Sequence, residues 1–264
     1  MGRGTREDRL ADQFTPTISR RKTMSLSNKT VLITGANRGI GAAILREMLK
    51  ADVAKIYATA RDPHTLPSFG DPRVIPLQLD ITSNASVNAV VSTAKDVDVL
   101  VNNAGTLALG DYLSSDWESF ENDMHTNFFG TLRVLRAFTP QFVARRSGTI
   151  ANVISVVGLS AVPLMAGYSA SKAALHSITQ SLRGTLEKDN ITVIGIYPGP
   201  IDTDLARSVP YPEKATPESA AANIVRGIID GQTYIFPDHL AQQIEGLWST
   251  DNRKLEYVAL HLGG

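Results

Sequence analysis

From Lys29 onward, short apolar runs of strand composition alternate with stretches of helical spacing, and this alternation limits the fold more than any other feature of the chain. Lys29–Thr34, Lys55–Ala60, Val74–Leu79, Asp98–Val101, Thr149–Ser155, Ile191–Tyr197 and Thr233–Phe236 read as strands. Ile40–Leu49, Val87–Ala94, Trp117 to about Phe142, Tyr168–Glu187, Thr216–Ile229 and Leu240–Trp248 read as helices. In the first of these Ile40, Ile44, Leu45 and Met48 share one face, and Pro217 opens the fifth at its first turn. Strands joined through helices run parallel and are covered on both faces. The continuous apolar runs suit strands buried on both sides. The predicted fold is therefore α/β, a doubly wound parallel sheet with helices on both faces and right-handed crossovers. No internal repeat or long linker interrupts residues 25–264, which predicts one domain with a helical C-terminal extension from about residue 238.

The first 24 residues differ. They are rich in arginine, lack a sustained apolar period and read as a disordered extension. They also lack the apolar core of a secretory signal, and no run of about 20 apolar residues occurs elsewhere. A cytoplasmic protein with no membrane partner is expected. Of the 264 residues, 26 are Lys or Arg and 26 are Asp or Glu, so no bulk charge draws the chain to nucleic acid. Cysteine is absent, which removes disulfides, thiolate metal sites and cysteine nucleophiles. The five histidines are scattered without metal-ligand spacing, so no metal site is predicted.

The first strand ends in Thr34-Gly35-Ala36-Asn37-Arg38-Gly39-Ile40-Gly41 and runs directly into a helix. Gly35 allows a tight turn, Gly39 close approach of backbone to a pyrophosphate, and Gly41 close packing of helix on strand. The helix N-terminus offers unpaired N–H groups to phosphate. No Gly-Lys-Ser/Thr follows, so this is not a nucleotide-hydrolysing loop, and no G-x-S-x-G elbow marks a hydrolase.

Five further features follow in order. Asn102-Asn103-Ala104-Gly105 follows the fourth strand, and Asn127 lies in the next helix. Ser155 ends the fifth strand, and Tyr168-Ser169-Ala170-Ser171-Lys172 opens the next helix. Tyr197-Pro198-Gly199-Pro200-Ile201-Asp202-Thr203 follows the sixth strand. Together with the glycine turn, these resemble the short-chain dehydrogenase/reductase family over about residues 28–236. The resemblance implies a Rossmann-type fold, a nicotinamide dinucleotide and a catalytic set of Asn127, Ser155, Tyr168 and Lys172. It also implies a homodimer or homotetramer.

Tyr168 and Lys172, spaced i, i+4, share a helix face. A nearby ammonium is expected to lower the phenol pKa from its usual value of about 10. Tyr168 would then exchange a proton with a carbonyl or alcohol oxygen, and Ser155 would hydrogen-bond the same atom. In family terms Lys172 also binds the ribose of the nicotinamide, and Asn127 holds a water that relays protons. The expected cofactor residues are Gly35, Asn37, Arg38, Gly39, Ile40, Arg61, Asp80, Asn103, Tyr168, Lys172, Pro198, Gly199, Ile201 and Thr203. Ala60 stands where NAD enzymes commonly carry an acidic residue. Arg38 and Arg61 suit a 2′-phosphate, so NADP(H) is preferred over NAD(H). A register slip of two would give Asp62 the acidic role. Asp80 fixes the adenine or caps the next turn; Asn103 contacts adenosine or braces the sheet.

The substrate is expected to be a small carbonyl or alcohol compound. Leu107, Leu109, Val157, Leu159, Val162, Leu164 and Met165 are candidates for an apolar pocket or for core. A short segment over Leu205–Ala215 predicts an open site. The rival reading is a non-catalytic NADP(H)-sensing regulatory or scaffold protein on the same fold. The intact catalytic set weighs against it. A dehydratase or epimerase would need a larger C-terminal domain.

Overall fold

The computed structural model describes residues 23–261. Seven strands form one parallel sheet: β1 (Thr30–Ile33), β2 (Lys55–Ala60), β3 (Val74–Gln78), β4 (Val99–Asn102), β5 (Gly148–Val153), β6 (Ile191–Ile196) and β7 (Tyr234–Ile235). Their order is β3-β2-β1-β4-β5-β6-β7. The order reverses between β1 and β4. Ligands of open α/β sheets bind at such a switch, beyond the carboxyl ends of the strands.

The period of two in each strand divides the core. Val31 and Ile33 of β1, with Val99 and Val101 of β4, face one layer. That layer holds Ile44, Leu45 and Met48 of α1 (Gly39–Lys50) and Ile224, Val225 and Ile228 of α6 (Pro217–Ile229). Leu32 and Leu100 face the opposite layer. There lie Val87 and Val90 of α2 (Asn84–Thr93) and Val134, Phe138 and Phe142 of α4 (Thr131–Arg145). Alternate side chains of one strand thus serve opposite faces, as the pleat requires.

The helical run from Trp117 is longer and less regular than its spacing predicts. It comprises α3 (Trp117–Asp123), a π-helical turn (Met124–Gly130) and α4. The run from Tyr168 begins two residues earlier, as α5 (Ala166–Leu186). The last strand shrinks to two residues. Beyond it stand α7 (His239–Thr250) and α8 (Asn252–Leu260), the second of which the apolar spacing did not reveal. Helix α8 is amphipathic over only two turns: Leu255 and Ala259 are buried while Asn252, Arg253, Lys254 and Glu256 are exposed.

The expected N-terminal extension lies outside the described residues except for Thr23 and Met24. The amide of Met24 donates to the carbonyl of Ile229 at 2.7 Å. No helix among the described residues is long and apolar enough to cross a membrane.

Candidate active site

The glycine turn takes the shape its sequence requires. Gly35 and Gly39 have φ of +66° and +55°, the left-handed region that glycine enters without a Cβ penalty. A Cβ on Gly41 would lie 2.3 Å from the Gly35 carbonyl oxygen, so only glycine lets α1 start this close to β1. Arg38 stands at the N-cap of α1 with no side-chain capping bond, leaving the first amides of the helix facing outward for an anion. Asn103 braces the turn: its Nδ2 donates to the carbonyls of Thr34 and Gly35 at 3.0 and 2.9 Å. Asn37 ties the turn to Thr65 through a 3.1 Å bond from Nδ2 to Oγ1.

A groove runs from this turn over the carboxyl ends of β1, β2 and β4. Gly35, Asn37, Arg38, Gly39, Ile40, Arg61, Asp80, Asn103 and Thr203 all border it. Its glycine cradle, free helix N-terminus and position at the switch point fit a dinucleotide. Strand β2 ends at Ala60, paired with Gln78, so the expected register holds. Arg61 follows and is exposed. Asp62 also borders the groove, and its Oδ1 caps the next turn, accepting the His64 amide at 3.0 Å. Asp80 borders the groove, and its Oδ1 accepts from Thr82 N and Oγ1 at 2.8 and 2.7 Å. The Thr82 bonds hold its carboxyl below the usual range, with lesser help from the charges of Arg61 and His125. Arg38 Nη1 lies 3.5 Å from Asp204 Oδ2 at the groove edge, and Arg207 pairs with the same carboxylate.

Beside the groove opens an apolar cavity bordered by Ser155 and Tyr168. The two spaces meet at Ile40, Thr203 and Leu205. Ser155 lies just past β5, where its Oγ donates to the Pro198 carbonyl at 3.3 Å. Pro198, Gly199 and Ile201 border the same cavity. Of the apolar candidates, Leu107, Val157, Val162, Leu164 and Met165 line it; Leu109 and Leu159 do not. The short Leu205–Ala215 segment still contributes Leu205, Val209 and Tyr211 to the wall.

Lys172 is buried one turn along α5 from Tyr168. Its Nζ donates to the Val153 carbonyl at 3.0 Å and lies 5.6 Å from the centre of the Tyr168 ring. Asn127 sits in the π-helical turn, also buried. Its Oδ1 accepts the Thr106 amide at 2.8 Å, and its Nδ2 donates to the Thr106 carbonyl and Ser171 Oγ, both at 3.0 Å. A Cβ on Gly105 would lie 2.8 Å from Asn127 Oδ1 and 3.7 Å from Lys172 Nζ. Glycine at 105 therefore lets the Asn127 amide oxygen approach the backbone closely, with Lys172 Nζ nearby.

The electrostatics correct one expectation. Burial, with the nearby charge of Asp123, pushes the Tyr168 phenol above its ordinary value; a hydrogen bond with Ser155 acts the other way but is smaller. Burial lowers Lys172 to about 8, while Asp123 opposes that fall. Desolvation sets the sign for both groups, because both lie out of water.

Asp123 and Asp238 were not evident as site residues from the motifs. Asp123, at the end of α3, is buried; its Oδ1 accepts from Thr106 Oγ1 at 2.9 Å and its Oδ2 from the Ala108 amide at 3.3 Å. Burial pushes its own carboxyl up, against those bonds and the charge of Lys172. Its place four residues before Asn127 was the readable signal. Asp238 joins two parts of the cavity wall. Its Oδ2 accepts the Gly199 amide at 2.8 Å, and its Oδ1 accepts the Ala241 amide at 2.9 Å, capping α7. An aspartate immediately before a helical run was its signal.

Comparison with known proteins agrees with this architecture. Residues 29–214 match the short chain dehydrogenase family. A "Dehydrogenase/reductase SDR family protein 7-like" of Anopheles gambiae is 34% identical over 70% of this chain, which spans 63% of that relative's length. A short chain dehydrogenase from Burkholderia cenocepacia J2315, solved in complex with NADP, is similar with a TM-score of 0.84 and 36% identity, covering 90% of this chain and 99% of that one. A short-chain dehydrogenase/reductase from Burkholderia phymatum, solved in complex with NAD, shares the fold at a TM-score of 0.77 and 22% identity, over 89% and 96% of the two chains. With the glycine turn, the seven-stranded parallel sheet and the motif residues gathered at one end of it, the chain belongs to the short-chain dehydrogenase/reductase family.

Proposed function

We propose that the protein is an NADP(H)-dependent carbonyl reductase, with Tyr168 as proton donor. The observation that carries this reading is the meeting of Ser155 and Tyr168 on one wall of an apolar cavity that opens into the dinucleotide groove. The dinucleotide supplies the hydride when bound. A phenol whose pKa is raised keeps its proton near neutrality, which is the form reduction of a carbonyl requires. Tyr168 gives that proton to the carbonyl oxygen, and the Ser155 hydroxyl hydrogen-bonds the same oxygen as charge develops on it. Lys172 is predominantly ammonium at pH 7 and is the donor that restores the Tyr168 proton. A water held by Asn127, as the family resemblance implies, would pass the next proton to Lys172. As a ribose ligand, the role the family resemblance implies, Lys172 would exchange its bond to the Val153 carbonyl.

Three features support NADP(H) over NAD(H). Strand β2 ends in Ala60 rather than an acidic residue. Arg38 and Arg61 border the groove, both exposed. The relative at 36% identity was solved with NADP. Tyr168→Phe is the test of the reading. Turnover of NADPH with a broad carbonyl panel is expected to fall by about 10²–10⁴, with NADPH affinity, read by fluorescence titration, retained. A wild-type protein that binds NADPH yet reduces nothing in the panel would favour a cofactor sensor instead.

A further inference from the structure

We infer that the C-terminal helix pair forms a substrate-selecting wall, and that the site takes an uncharged ketone or alcohol with an extended apolar body. This rests on the carbonyl-reductase reading and names its substrate class. Leu240 and Ile244 of α7, with Leu255 and Ala259 of α8, line the same cavity as Ser155 and Tyr168. All four lie beyond residue 214, where the match to the family ends. The buried stripe of α8 consists of Leu255 and Ala259, one helical turn apart, and both border the cavity. This helix is amphipathic toward a binding space rather than toward the sheet.

The wall is held in place. Asp251 caps α8 through the Lys254 amide at 3.0 Å, and Asp238 ties the start of α7 to Gly199. Trp248 of α7 packs against Tyr234 and His176, with ring centres 5.2 and 6.0 Å apart. A wall fixed at three points acts as a template, because little ordering remains to oppose binding.

The chemistry of the lining sets the class of ligand. No residue bordering the cavity carries a charge; its side-chain polar groups are hydroxyls of Ser155, Ser160, Tyr168, Thr203 and Tyr211. A substrate carboxylate or phosphate placed there would lose its hydration with no cation to meet it. Each methylene placed there leaves water for an apolar surface. Ala259 is the small residue of α8 on this wall, and a larger side chain at that position would occupy space the substrate uses.

The test is a series of unbranched 2-alkanones from four to ten carbons, with an ω-carboxylate analogue of the longest, reduced with NADPH by the full chain. For the wild type kcat/KM is expected to rise about fourfold per methylene, or about 0.8 kcal/mol each, until the cavity is full. The ω-carboxylate analogue is expected to fall at least a hundredfold below its neutral counterpart. Ala259→Phe is expected to cut the ratio of longest to shortest ketone at least tenfold. NADPH titration of that variant checks that it is folded, and Leu255→Ala provides the opposite change, favouring bulkier ketones. Binding of the matching 2-alkanols to the NADPH-loaded protein, by calorimetry, separates the two ideas. Length-dependent alcohol binding without any ketone turnover would uphold the wall and sink the reductase reading. Turnover that is flat with chain length, or indifferent to the terminal carboxylate, would overturn the wall.

Discussion

Tyr168, Lys172 and Asp123 form a buried set of titratable groups, and their mutual influence has a definite sign. Asp123 raises both Tyr168 and Lys172, so it extends the pH range in which each holds a proton. Reduction needs those protons. Its kcat/KM is therefore expected to be level below about pH 8 and to fall as pH rises through the Lys172 value. In Asp123→Asn the carboxylate is gone, both groups release protons earlier, and the alkaline limb moves to lower pH. Asp123→Glu keeps the charge and is expected to restore much of the profile; a merely structural role for Asp123 would lower the rate without moving the limb. A second residue-scale prediction concerns the groove mouth. Arg38→Ala and Arg61→Ala are each expected to weaken NADPH binding on the order of tenfold, for the loss of about 1.5 kcal/mol of charge-assisted hydrogen bonding, while NADH binding changes little. Equal losses for both cofactors in the paired titrations would remove the 2′-phosphate assignment. These groups differed in legibility. Ser155, Tyr168 and Lys172 stand in a local pattern, whereas the meeting of Asp123 with Lys172 depends on how α3 packs against α5, which no spacing within either helix encodes.

Helix termini do much of the positioning. The N-terminus of α1 carries no side-chain cap where the groove passes, and neither does that of α5, while α2, α3, α6, α7 and α8 are each capped by Ser83, Asp116, Thr216, Asp238 or Asp251. A side-chain cap on α1 would satisfy amides that this helix can otherwise offer to an anion. Asp238 differs from the other caps because it is buried and serves two elements. Asp238→Ala is expected to lower stability by about 2 kcal/mol, combining a lost cap with an unpaired Gly199 amide. In a thermal melt that is a fall of roughly 4–8 °C for a domain of this size. The same variant loosens the loop of Pro198 and Gly199 beside the cavity, so a rise in KM for ketones accompanies it. A melt that matches the wild type would mean that water replaces both bonds. The π-helical turn at Met124–Gly130 was not legible. A continuous apolar period hides one extra residue in a turn, and only the packing of Asn127 against Thr106 and Ser171 reveals it.

Across the molecule, the strands and their parallel order were readable because a doubly buried strand leaves an uninterrupted apolar run, and because the glycine turn marks where the sheet reverses. Ala60 at the end of β2 fell in the expected register for the same reason. In the C-terminal region α7 was readable over Leu240–Trp248, but α8 was not. That last helix buries only Leu255 and Ala259, too few positions to stand out as a period, and the face they serve is a cavity rather than the sheet. This division has a consequence for descent. The groups proposed to move hydride and proton lie within residues 29–214, which match the family, and α7 and α8, which border the cavity, lie beyond them. Drift, exchange or lengthening of the codons for α7 and α8 can change which molecules are accepted while leaving the proton donor in place. In such a gene, diet and chemistry are inherited separately.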